Sequence, residues 1–110
     1  MKTSTPPAAA KAPDGAPETL LAETRADAAR RANVAEAAVT LRVAEAVTWP
    51  DGSMGCAQPD RVYTQALVPG WRVVWQAADR EWHYHAGRRG TWIFCPSAQA
   101  KNPLPGNPSR

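Results

Sequence analysis

The chain has 110 residues, a formal charge of +3, 44% hydrophobic residues, five Trp and two Cys, which leaves room for one small domain. No stretch approaches the roughly 18 apolar residues of a membrane-spanning helix. Its 13 basic residues only slightly outnumber 10 acidic ones, and they lack the dense stripe with interleaved aromatics that a nucleic-acid surface needs. The nearest approach is Arg88-Arg89 in a glycine-flanked turn, so nucleic acid is not an expected partner.

Residues 1–18 carry Pro6, Pro7, Pro13 and Pro17 among Ala, Ser, Thr and Gly, a composition that cannot bury enough apolar surface to offset its ordering entropy. A disordered arm is expected there. Lys2 is followed by Thr, Ser and Pro and not by the apolar run of a secretory leader. The chain is therefore either cytosolic with free thiols or the mature form of an exported protein whose leader has been removed.

Ala, Leu, Glu and Arg dominate from Thr19 to Ala32, predicting a helix with Thr19 as its cap, Pro17 and Glu18 at its start and Arg30 and Arg31 at its end. Asn33 is its expected left-handed stop. Leu21, Arg25, Ala28 and Ala32 recur at helical spacing beside Leu20 and Thr24, a narrow stripe that permits close approach to a sheet. Val39, Leu41 and Val43 alternate with polar or small residues, and Val47 and Trp49 continue the parity, so a strand follows with a bulge or an edge position expected near Glu45.

Trp49 to Cys56, W-P-D-G-S-M-G-C, is the richest turn cluster and starts a loop expected to reach Arg61. Tyr63–Val68 and Trp71–Ala77 read as strands divided by Pro69-Gly70, as a tight turn or a kink in one strand. Ala78-Asp79 then forms a hairpin to a strand over Arg80–Ala86, and the turn Gly87–Gly90 leads to a last strand, Thr91–Cys95. Residues 97–110, with Pro103, Pro105 and Pro108, are expected to be a disordered tail. Residues 19–96 are expected to form a single α+β domain, one N-terminal helix packed on a three- to five-stranded antiparallel meander.

A bond between Cys56 and Cys95 would close the β-rich half into one ring. In the loop-entropy description that restricts the unfolded chain by about 4 kcal/mol, a large share for so small a core. Neither Cys lies in a C-x-x-C or at a helix N-terminus, which favours a structural bond over a reactive pair.

The motifs W-P-D-G-S-M-G-C, V-Y-T-Q, P-G-W-R and F-C-P resemble those of a family of short, mostly uncharacterised bacterial exported domains that carry W-x-D-x-S-x-G-C, Y-T-Q and P-G-Y-R. The resemblance covers residues 20–96, with Trp71 in place of the usual Tyr. It implies a periplasmic or extracellular location and a Cys56–Cys95 disulfide, and it implies no activity. A more distant likeness is to cystatins, which lay one helix across an antiparallel sheet and present Q-x-V-x-G to a protease. Here Gln65–Gly70, Q-A-L-V-P-G, is one residue too long for that motif.

His83 and His85 stand two apart on a strand, so both imidazoles share a face with Glu81, a spacing that suits two metal ligands with Glu81 as a third but is more simply read as the polar solvent face of an antiparallel strand. Met54 offers a soft sulfur for copper. Asp51 and Ser53 lack the glycine of a nucleophile elbow and read as turn-fixing side chains. No motif calls for a cofactor. The expected function is an exported, non-enzymatic binding domain, protein-binding or protease-inhibitor-like, that uses Trp49, Asp51, Ser53, Gln65, Gly70, Trp71 and Arg72. The alternative is a copper or zinc protein using His83 and His85.

Overall fold

A computed structural model describes residues 16–96 and 100–104. The expected arm and tail fall mostly outside these residues. The chain runs as α1 (Glu18–Ala32), a short 3-10 turn (Glu36–Ala38), then β1 (Thr40–Trp49), β2 (Val68–Ala77), β3 (Arg80–Gly87) and β4 (Trp92–Cys95). The strands form one antiparallel sheet in the order β1-β2-β3-β4. No helix among the described residues is long and apolar enough to cross a membrane.

Helix α1 starts one residue earlier than expected, on Pro17, whose carbonyl accepts from the Leu21 N–H at 3.1 Å. No side chain caps it, so Thr19 sits within the first turn and not at the cap. Proline's fixed φ and the acidic Glu18 suffice to begin the helix. At the other end Asn33 takes the left-handed conformation, φ 60° and ψ 47°, and the Val34 N–H reaches back to the Ala29 carbonyl, a closure that satisfies carbonyls the helix leaves open.

The helix seats on the sheet through Leu20, Thr24, Ala28 and Ala29, packed near Val73, Trp75, Trp82 and Tyr84. Two polar contacts pin this layer. Trp75 Nε1 donates to Thr24 Oγ1 at 2.8 Å, and that hydroxyl donates onward to the Leu20 carbonyl at 2.8 Å. Asp27, 8% exposed, accepts from Arg30, Arg31 and the Tyr84 hydroxyl at 2.9, 2.5 and 2.8 Å. Burial alone would raise the Asp27 pKa, but the Arg31 and Tyr84 hydrogen bonds outweigh it and hold the carboxyl below its usual value.

Two details depart from the sequence reading, and the expected hairpin holds. The irregularity in β1 lies between Leu41 and Val43, and Glu45 stays in register opposite Arg72, whose guanidinium it accepts at 2.8 Å. Glu45 lies on an edge strand, one of the two expectations for it, and an ion pair there accommodates the carboxylate without a bulge at that residue. Residues 61–67 form no strand, and β2 instead begins at Val68 and runs straight through Pro69-Gly70. Pro69 lies near the strand's start opposite Thr48, where a missing N–H is tolerated; the Thr48 carbonyl accepts from the Leu104 N–H at 3.0 Å. The Ala78-Asp79 hairpin has φ of 54° and 62°, the primed geometry that matches strand twist.

Candidate functional site

The register fixes which side chains share a face. Trp82, Tyr84 and Ala86 point to α1, so His83 and His85 point away from it, together with their cross-strand partners Val74 and Arg72. That second face is covered by the loop that leaves β1 at Trp49, and Cys95 at the end of β4 joins it through the disulfide to Cys56, with Cα atoms 5.8 Å apart.

Trp49 is fully buried. Its Nε1 donates to the Ala86 carbonyl at 3.1 Å, and its ring stacks on His85 with centroids 4.4 Å apart and planes at 26°. His85 is also fully buried and lies 2.6 Å through Nδ1 from the Met54 carbonyl. Because a carbonyl can only accept, Nδ1 carries the hydrogen and Nε2 holds a bare lone pair. Burial, which disfavours the charged ring, pushes the His85 pKa down to about 4, so the imidazole is neutral at neutral pH.

The loop is tied from within as well. Asp51 Oδ1 accepts from the Ser53 N–H at 2.9 Å and from its hydroxyl at 2.6 Å, and these bonds lower the Asp51 pKa. Ser53 thus closes a turn with a carboxylate two residues back. Met54 and Gly55 take positive φ, 54° and 76°, and a Cβ on Gly55 would lie 2.7 Å from the Trp49 ring. The Lys101 N–H bonds to the Gly55 carbonyl at 2.8 Å, so residues after β4 return to brace the loop. Gly70 is as constrained: a Cβ there would meet the Ala86 carbonyl oxygen at 1.9 Å.

The structure therefore gathers Trp49, Asp51 and Ser53, and places Gly70 and Arg72 on the strand beneath that face. Trp49, Ser53 and Gly70 are buried, so their part is to hold the loop. Trp71 lies on the opposite, α1-facing side. Gln65 is exposed and donates to the Tyr63 carbonyl at 3.3 Å. Gln65–Gly70 runs from the loop into β2 and makes no hairpin tip. His83 and His85 do not line a solvent edge: the loop covers His85 fully and leaves the His83 side chain 13% exposed. Among the described residues no three His, Cys, Asp or Glu side chains converge.

A family model described as a domain of unknown function, DUF8738, matches residues 21–95. The chain belongs to this DUF8738 family. Its match starts inside α1 and ends at Cys95, so the DUF8738 unit contains the helix, the whole sheet and the disulfide. No curated protein and no solved structure matches the chain. What sequence reasoning missed in this DUF8738 domain is the partnership of His85 with Trp49 and Met54. Alternation placed His85 on a face but could not say that a loop would cover it.

Proposed function

We propose that this protein is an exported, non-enzymatic module that binds a protein partner through the outer surface of the loop over residues 57–67. The observation that carries the reading is the placement of the large exposed hydrophobics. Among the described residues they are Val62, 97% exposed, Leu67, 63% exposed, and Leu104. All three lie in the loop and the returning tail, none on the helix or strands. Apolar side chains held in water contribute nothing to folding and favour burial against another surface.

The loop is preorganised for contact. Gly52 N–H bonds to the Thr64 carbonyl at 2.8 Å, and the Tyr63 hydroxyl accepts from the Gln58 N–H at 3.0 Å. Ordering it beforehand reduces the entropy lost on association. The disulfide supports an oxidising compartment. It also leaves neither sulfur as a thiolate nucleophile.

The test compares immobilised wild type with a Val62→Asp/Leu67→Asp double variant, using a periplasmic or culture-medium extract. Equal melting temperatures would establish that both are folded. Proteins retained by the wild type and lost by the variant support the reading; an identical set on both overturns it.

A further inference from the structure

The loop-covered face contains two side chains that the proposed binding surface does not use. His83 and His85 follow one another on β3 and project from the same side of the sheet. His85 has one ring nitrogen committed to an acceptor, Nδ1 to the Met54 carbonyl at 2.6 Å, and His83 Nε2 lies 3.3 Å from Glu81 Oε1. The other nitrogens, His83 Nδ1 and His85 Nε2, are buried and have no hydrogen-bond partner among the described residues. A buried acceptor without a partner costs about 1–3 kcal/mol, so two on adjacent same-face residues need a reason.

At His85 the pattern is the one that ligating histidines show, in which the far N–H is given to a carbonyl or carboxylate and the near lone pair is left for the metal, and Glu81 stands beside the far nitrogen of His83. We propose that His83 Nδ1 and His85 Nε2 form a two-nitrogen site for a soft monovalent cation, Cu(I), on the loop-covered face of β3. The donor count chooses the ion. Structural zinc takes four ligands in a closed set, and no third His, Cys, Asp or Glu converges here among the described residues. Cu(I), a filled-shell ion, accepts two neutral nitrogens in a line, and imidazole suits copper.

Charge points the same way. Two neutral rings supply no charge from the ligands themselves to offset the ion in a buried place, which favours one positive charge over two. Arg72 faces His85 from β2 but is paired with Glu45 at 2.8 Å, and Glu81 sets a carboxylate beside His83. Trp49, stacked on His85, adds an aromatic wall that tolerates a cation.

Silver(I), a filled-shell stand-in that does not change oxidation state, tests the site on nitrogen-15-labelled protein with its disulfide intact. One equivalent of silver nitrate should shift the His83 Nδ1 and His85 Nε2 resonances and leave the protons on His83 Nε2 and His85 Nδ1. Competition with a bicinchoninate chromophore for Cu(I), under ascorbate without oxygen, then gives affinity. His83→Gln, at a half-buried position, should lose at least about tenfold, and Glu81→Ala, which frees the His83 ring, should lose about tenfold. An unshifted pair of nitrogens, a shift confined to the Met54 methyl, or unchanged affinity in a folded His83→Gln protein would each overturn the proposal.

Discussion

Acid should loosen the loop layer through His85. The ring titrates at about 4 in the folded protein against an ordinary 6.5, so between those values the unfolded chain binds the extra proton and the folded chain does not. Stability conferred by the neutral ring is therefore complete above about pH 6.5 and is lost as pH falls toward 4. At 1.4 kcal/mol per unit the whole effect is about 3 kcal/mol, and at about pH 4.5 roughly 2.5 kcal/mol of it has gone. Asp27, whose carboxyl is held below its usual 3.8, contributes its own acid loss only lower down. Urea unfolding followed by tryptophan fluorescence, at about pH 7.5 and about pH 4.5, measures the difference. His85→Phe keeps a ring against Trp49 and cannot titrate. The wild type should lose about 2–3 kcal/mol over this interval, and the variant, less stable at neutral pH, should lose that much less. An equal loss in both proteins would refute the assignment of the acid step to His85.

Replacing both Cys56 and Cys95 by Ser should cost about 4 kcal/mol in the same urea assay, given their separation of 39 residues. Tyr84→Phe removes a hydroxyl that donates to the buried Asp27 and should cost about 1–3 kcal/mol, with the Asp27 pKa rising in a carboxyl titration by NMR. Gly70→Ala should fail to fold or fold with a displaced β3, because no Cβ fits 1.9 Å from the Ala86 oxygen; a native-like melt would contradict the close approach of β2 and β3.

The element types were largely legible. Alternation in W-R-V-V-W and W-H-Y-H-A, the Ala78-Asp79 break and Asn33 each carry a local physical cause, and the meander follows from short connections. The loop was less so. Y-T-Q-A-L-V has the composition of a strand, yet the Thr64 carbonyl is taken by Gly52, and the segment pairs with the loop and not with the sheet. Glu45 looked like an interruption because its partner, Arg72, is 27 residues away. His85 was misread for a related reason: burial depends on what covers a face, and the cover is a segment with no periodicity of its own. Of the sequence-derived candidates, Trp49, Asp51 and Ser53 were found as a cluster because they are neighbours in the chain.

The disulfide ring also settles what a broken backbone would leave behind. The exposed loop around Val62 is where a protease would cut first, and every bond from Ala57 to Phe94 lies inside the ring that Cys56 and Cys95 close. A single cut there yields two pieces, one with α1 and β1 and one with β2, β3 and β4, still joined by sulfur. The nicked molecule would stay in one piece, heavier by the one water taken up in the cut, until reductant was added, and the β1–β2 pairing would hold the halves in register.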